Sequence, residues 1–150
     1  MILIVVLILI QIIQPSRTNP PVDLSRTLEA RVQVPMDVQE VLQRSCYDCH
    51  SNATVWPWYS HVAPISWYVA HDVNAARGHI NFQDWAAQIN PQEGKEHLGL
   101  ICKLVREGNM PPADYRLMHK GTDLSPSEIS AVCAWSQKVG SSDDSDKKAD

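Results

Sequence analysis

A five-residue run, Cys46-Tyr47-Asp48-Cys49-His50, constrains this chain more than any other stretch. On one helical turn, the two cysteines of a C-x-x-C-H run face the same side. Their sulfurs can add to two neighbouring vinyl groups of a porphyrin, and the histidine that follows can ligate the iron as a neutral imidazole. The run therefore predicts one covalent c-type haem, attached through Cys46 and Cys49 and ligated by His50.

Two other kinds of site share part of this pattern. A zinc site could use Cys46, Cys49 and His50, with Cys102 or Cys133 as the fourth ligand. A thioredoxin-like redox pair also contains C-x-x-C, but no β-α-β pattern surrounds the run here. The histidine directly after the second cysteine favours haem over both alternatives.

The composition limits the chain to one domain and an appendage. The chain has 150 residues, of which 44% are hydrophobic, and a formal net charge of −4, so nothing favours a nucleic-acid partner. Five tryptophans stand against one phenylalanine. Wide aromatic rings suit a large flat cofactor, although they also fill an ordinary core.

Cys102 and Cys133 remain once the haem motif is set aside. An even remainder in an exported chain suggests a disulfide between them, and the alternative is two buried free thiols. Both cysteines lie on apolar helical stripes, so their sulfurs can meet if the two helices pack together.

The chain begins with an almost wholly aliphatic segment, residues 1–13. It is shorter than the roughly 20 residues that span a bilayer, and neither a basic region nor a small-residue cleavage site flanks it. We expect a signal-anchor helix in residues 1–17, or else a cleaved signal peptide. The anchor would hold the protein on the periplasmic side of a bacterial inner membrane, and cleavage would make it a secreted protein. A linker (18–36), the haem domain (37–140) and a disordered polar tail (141–150) follow.

Periodicity and capping residues predict an all-α domain. Asp37 and Ser125 are the expected N-caps of the first and last helices, and Gly78, Gly108 and Gly140 the expected stops. The predicted helices cover residues 38–46, 64–77, 81–88, 92–107 and 126–139. Their apolar stripes contain Val38, Val41, Leu42, Leu98, Ile101, Cys102, Val105, Ile129, Val132 and Cys133.

A longer pattern surrounds the motif and resembles a known family. After Cys46-Tyr47-Asp48-Cys49-His50 come Ser51-Asn52-x-Thr54-x-Trp56-Pro57-Trp58-Tyr59-Ser60 and Ala63-Pro64-x-Ser66-Trp67. Further parts are Asn19-Pro20-Pro21, Asp72-Val73, Arg77-Gly78, Asn81-Phe82-x-x-Trp85, Met110-Pro111-Pro112-x-x-Tyr115 and Leu124-Ser125-x-x-Glu128. The block resembles the bacterial haem-binding domain family, a cytochrome c-like group with a single C-x-x-C-H. The resemblance implies a small cytochrome c-like, all-α domain around one covalent haem, periplasmic and preceded by a hydrophobic anchor helix.

Aromatic residues after the motif are candidates to wall the haem. Trp56, Trp58, Tyr59 and Trp67 combine wide rings with N–H or O–H donors that can bind haem propionates. Arg77 could also pair with a propionate, but a solvated arginine at a helix C-terminus is an equal alternative.

Met110 is the predicted sixth iron ligand. It follows a helix-ending glycine and precedes two prolines, which stiffen the loop and can aim the thioether. Small cytochromes c place their methionine ligand in such a loop before the last helix. The competitors are Met118, His119, His61 and His71, or an open site, whereas His79 and His97 fit the surface better.

A His/Met-ligated haem favours single-electron transfer over catalysis. The electrons would pass between partner proteins, which the sequence does not identify. The alternative function is a peroxidase-like enzyme or a small-gas sensor, with His61, His71 or Tyr115 as a distal acid–base group. A third alternative is a subunit whose haem serves a larger complex. Nothing in the sequence resembles a hydrolase triad or a phosphate-binding loop.

Overall fold

The computed structural model describes residues 1–85 and 91–142. Within these residues every regular element is helical, as predicted, and none is a strand. The helices are α1 (Ile2–Leu9), α2 (Leu28–Arg31), α3 (Met36–Ser45), α4 (Tyr47–His50), α5 (Ile65–His79), α6 (Pro91–Arg106), α7 (Ala113–Met118) and α8 (Pro126–Ser142). Short 3-10 turns cover Ile10–Ile12, Leu24–Arg26 and Trp58–His61.

The core forms where α6 and α8 pack along each other and α3 packs on α8. The predicted stripes supply it, since apolar residues spaced three and four apart form one helix face. Ile101 and Ile129 lie at its edge, half-buried. The fully buried members of these stripes are Val38, Val41, Leu42, Leu98, Cys102, Val105, Val132 and Cys133.

A disulfide joins α6 to α8 through Cys102 and Cys133, whose Cα atoms are 4.7 Å apart. Both half-cystines are buried in the core. Because each sulfur is bonded to the other, neither is free to act as the fourth ligand of a zinc site.

Part of the predicted linker (residues 18–36) packs into the domain. Leu28 is completely buried, and its N–H donates to the carbonyl of Phe82 at 2.7 Å. The indole N–H of Trp135 donates to the carbonyl of Gln33 at 3.0 Å. The packed structure therefore begins before residue 37, because Leu28 is a member of the hydrophobic core.

The prediction of an N-terminal anchor helix is wrong. Helix α1 covers only Ile2–Leu9, which at 1.5 Å per residue is far shorter than a hydrocarbon core of about 30 Å. Among the described residues, no helix combines the length and apolar character needed to cross a bilayer. The helix ends early because the chain tightens into the 3-10 turn Ile10–Ile12 and then extends at Ile13.

Several predicted helix ends also differ. Helix α3 starts at Met36 after Pro35, so Asp37 lies in its first turn and is not its cap. Gly140 does not stop α8, which continues to Ser142. Residues 82–84 of the predicted helix 81–88 form a turn and a bend, and residues 86–88 lie outside the described residues. The predicted tail 141–150 lies outside them from residue 143 on.

The predicted capping box at the start of α8 is confirmed. The N–H and Oγ of Ser125 donate to Glu128 Oε2 at 2.7 and 2.8 Å. Arg44 of α3 donates to the other carboxylate oxygen at 2.7 Å. These bonds to Ser125 and Arg44 lower the pKa of Glu128 from 4.5 to about 2.

Replacing Glu128 by alanine should cost about 1 kcal/mol of stability at neutral pH, the usual effect of losing a helix cap. Because the folded-state pKa of Glu128 is lowered, the carboxylate stabilises the fold above pH 4.5, and this gain disappears as the pH falls towards about 2. The unfolding free energies of parent and variant should therefore become equal as the pH falls. Urea denaturation of both proteins between pH 2 and 7 measures this. Glu40→Ala, at an exposed position on α3, is the control. A difference that stays constant with pH would contradict the assignment.

Candidate functional site

Helix α4 and its N-cap Cys46 contain the whole cysteine–histidine motif. The N–H groups of Cys49 and His50 donate to the carbonyl of Cys46 at 3.2 and 2.9 Å, which closes a single turn. Cys46 and Cys49 are free thiols, and both are half-buried. Helix α3 delivers the chain into this turn, and Cys46 packs against the edge of the core. Two sulfurs and an imidazole are thus brought together within a single helical turn.

The ring of His50 is oriented by a backbone carbonyl. Nδ1 lies 3.0 Å from the carbonyl oxygen of Ile80, which can only accept, so Nδ1 carries the proton. The lone pair is then on Nε2, the atom that an iron ion would need. Burial lowers the pKa of His50, which keeps the imidazole neutral at pH 7. The carbonyl of His50 also accepts from the N–H of Phe82 at 2.8 Å.

Burial makes the two thiols of the motif harder to deprotonate. Burial raises the pKa of Cys46 to about 12, and burial together with Asp48 raises that of Cys49 to about 11. Zinc binds thiolates, so these thiols would have to lose their protons against this shift. In the described part of the chain, no three His, Cys, Asp or Glu side chains converge as a metal site would require.

Tyr47, inside the motif, is fixed on two sides. Its hydroxyl donates to a carboxylate oxygen of Glu29 on α2. Its ring stacks on Phe82 with centroids 5.4 Å apart, and Phe82 in turn lies 6.0 Å from the ring of His50. Sequence reasoning assigned no part in the site to Glu29, since it lay in the predicted linker.

Arg77 is buried among protein partners, and its pairing with a propionate stays a prediction. It is only 9% exposed, so it is not a solvated arginine at a helix end. Its guanidinium donates to the carbonyls of Ser51 and Thr18, to Asn19 Oδ1 and to Thr54 Oγ1, at 2.7 to 3.3 Å. These contacts occupy four of its five N–H groups and leave little capacity for a propionate. Arg77 instead holds the loop that follows His50 against α5.

Two of the aromatic candidates bind the N-terminal segment. The indole N–H of Trp56 donates to Asn19 Oδ1 at 3.2 Å, and that of Trp67 donates to the carbonyl of Ile13 at 2.6 Å. Trp58 is 77% exposed, and its ring meets Tyr59 edge to face. Asn19 belongs to the Asn-Pro-Pro pattern of the sequence, but the pattern did not indicate that its side chain accepts from Trp56 and Arg77. The wall formed by Trp56, Trp58, Tyr59 and Trp67 stays a prediction.

Met110 lies half-buried at the edge of the core cluster that Cys46 and Tyr47 also border. The chain reaches it through Gly108 at φ +69, a conformation that favours glycine. Its N–H donates to the carbonyl of Leu104 at 3.3 Å. Met110 therefore packs against the same core cluster as Cys46 and Tyr47, and its role as sixth ligand stays a prediction.

The competing ligands are arranged less favourably. His61 and His71 are exposed, and so is Met118 at 54%. Both ring nitrogens of His119 have partners: Nδ1 lies 3.0 Å from the carbonyl of Tyr115, and Nε2 lies 3.2 Å from the hydroxyl of Tyr59. His119 would have to give up the Nε2 contact to ligate a metal through that atom.

A contact that sequence reasoning missed links the motif to the segment after Met110. The hydroxyl of Tyr115 donates to Asp48 Oδ2 at 2.9 Å. The other oxygen of Asp48 accepts from the N–H of Val55 at 3.2 Å. Asp48 belongs to the C-x-x-C-H run, and Tyr115 belongs to the pattern that begins at Met110. Nothing in the spacing of these two patterns indicates that the two side chains touch.

Comparison with known proteins agrees with this arrangement. No curated protein and no solved structure matches the chain. A family model described as a haem-binding domain matches residues 5–138, nearly the whole chain. The matched range includes the free thiols, the oriented His50 and the loop of Met110. The chain therefore belongs to the haem-binding domain family.

Proposed function

We propose that this haem-binding protein carries one covalent c-type haem and transfers single electrons between partner proteins. The contact between His50 Nδ1 and the carbonyl of Ile80 is the observation that carries the proposal. It fixes a neutral imidazole with its lone pair on Nε2, directly after two accessible thiols. Such an arrangement serves no purpose in a structural disulfide or a thioredoxin-like pair.

Cys46 and Cys49 would hold the haem by adding their S–H groups across its two vinyl groups, with each sulfur bonded to one carbon and each hydrogen to the other. His50 would ligate the iron through Nε2. When bound, haem supplies a one-electron couple. The chain orients the ligand through Ile80, stiffens the motif through Tyr47 and Phe82, and locks the following loop through Arg77.

Met110 is our proposal for the second axial ligand. Its loop is stiffened by Pro111 and Pro112, and Met110 packs against the same core cluster as Cys46. A thioether raises the reduction potential relative to a second histidine. With both axial positions filled, the iron would exchange electrons without binding substrate.

We also propose that the protein works outside the cytoplasm, on the periplasmic side of a bacterial inner membrane. The disulfide between Cys102 and Cys133 supports an oxidising compartment, because cytosolic thiols are kept reduced. The partners would be redox proteins of the same compartment.

Met110→Ala tests the ligand pair in protein made with a cytochrome c maturation system. The ferric parent should show the weak red-edge absorption band of Fe(III)–S(Met), and the variant should lose it. The reduction potential should fall on the order of 0.1 V, a part of the roughly 0.8 V that axial ligands span. Met118→Ala, another methionine on the same segment, is the control and should retain the band.

Identical spectra for Met110→Ala and the parent would exclude Met110 as a ligand. A high-spin ferric spectrum in the parent itself would favour the alternative function, a peroxidase-like enzyme or a gas sensor with an open site.

A further inference from the structure

Helix α7, which follows the Met110 loop, is not held by apolar burial. All six of its residues are described, and none is buried. Leu117 is 81% exposed and Met118 54% exposed. A helix this short has little stability of its own, because nucleation outweighs the few hydrogen bonds it gains. Polar contacts to other elements must therefore hold it in place.

Tyrosine hydroxyls make those contacts. Tyr115 of α7 donates to Asp48 on α4 at 2.9 Å. Tyr68 of α5 donates to Asp114 Oδ2 on α7 at 2.8 Å. Tyr59, in the turn Trp58–His61, lies 3.2 Å from Nε2 of His119 at the end of α7. The chain has four tyrosines, so three of them attach this one segment to three different elements.

Stacking strengthens the same arrangement. The rings of Tyr115 and His119 are nearly parallel, with centroids 4.0 Å apart. His119 also binds the carbonyl of Tyr115 through Nδ1 at 3.0 Å. The contacts of Tyr59 and Tyr115 are thus mechanically connected, and loosening one would loosen the other.

We propose that the hydroxyls of Tyr59, Tyr68 and Tyr115 form a tyrosine clamp that positions Met110 against the iron. The inference rests on the proposed function, and specifically on Met110 as an axial ligand. Asp48 lies directly before Cys49 and His50, whereas Tyr115 lies just after Met110 and two prolines. The bond between Asp48 and Tyr115 therefore joins the segments that would carry the two axial ligands. Because Pro111 and Pro112 stiffen the connection, a displacement of α7 moves Met110.

The test uses the full-length, haem-loaded protein and the rate at which added imidazole replaces the ligand in the ferric state. Tyr115→Phe should raise this rate about tenfold, the effect of losing one hydrogen bond to a charged group. Tyr68→Phe removes an exposed bond to Asp114 and should raise the rate by a smaller factor, about threefold. Amide hydrogen exchange in residues 113–119 should become faster in both variants.

Leu117→Ala is the matched control, since it alters an exposed side chain of the same helix without touching the clamp. It should change neither the imidazole rate nor the exchange of residues 113–119 by more than about twofold, as expected for a surface substitution. Thermal melts establish that all three variants are folded. Parental imidazole rates in both Tyr115→Phe and Tyr68→Phe would overturn the proposal.

A coupled measurement separates this proposal from the proposed function. If Met110→Ala leaves the spectrum unchanged, the assumed ligand pair fails and the clamp cannot act through it. If Met110→Ala removes the band but Tyr115→Phe and Tyr68→Phe leave the imidazole rate unchanged, only the clamp fails. In the Asp48→Ala and Tyr115→Phe double variant, the effects on the rate should be less than additive, because both substitutions remove the bond between these two side chains. Asp48→Ala also removes the acceptor of the Val55 N–H, so it should have the larger single effect.

Discussion

Replacing both Cys46 and Cys49 by serine should yield a protein whose haem is removed completely by acid–acetone extraction. The parent should retain its colour in the protein fraction, because thioether bonds survive this treatment. His50 remains in the double variant, so some haem should still bind without a covalent link. Absorbance of the acid–acetone extract and of the precipitated protein measures how much haem each fraction contains.

Each single variant adds a second measurement. Loss of one thioether leaves one vinyl group in conjugation with the ring, so the reduced pyridine haemochrome band should move to longer wavelength than in the parent. The matched control is Cys102→Ala with Cys133→Ala, which removes the chain's other two cysteines and should leave the covalent haem intact. Extractable haem in the parent would overturn covalent attachment, and tightly bound zinc in its place would restore the zinc alternative.

Removal of the disulfide should have the largest effect on stability. For a sequence separation of 31 residues, the entropy of loop closure predicts a loss of about 3–4 kcal/mol when Cys102 and Cys133 are both replaced by alanine. Urea denaturation of the haem-loaded protein, followed by far-UV circular dichroism, measures the change. The bond joins the two helices that form the core, so the unfolding midpoint should fall for the whole domain.

A reductant supplies the control for this experiment. Dithiothreitol should lower the unfolding midpoint of the parent towards that of the double alanine variant and leave the variant itself unchanged. If the parent and the double variant unfold at the same urea concentration, the bond does not contribute to stability, and its support for an oxidising compartment is lost as well.

The sequence alone determined those features that depend on neighbours along the chain. The spacing of Cys46, Cys49 and His50 specifies their common face, since one turn of helix fixes their relative positions. The stripes of α3, α6 and α8 were predictable for the same reason, and so was the capping box of Ser125 and Glu128. The hydrophobic N-terminal run was misjudged because apolar composition alone does not fix the length of a helix.

Only the tertiary structure decided which distant groups satisfy the polar atoms of the site. Ile80 orients His50, the segment around Thr18 and Asn19 binds Arg77, and Asp48 accepts from Tyr115 across a separation of 67 residues. A tyrosine hydroxyl or a guanidinium can bond to any oxygen within reach. The packing of the helices therefore determines which oxygen accepts from each of these donors. No local pattern of residues specifies that packing.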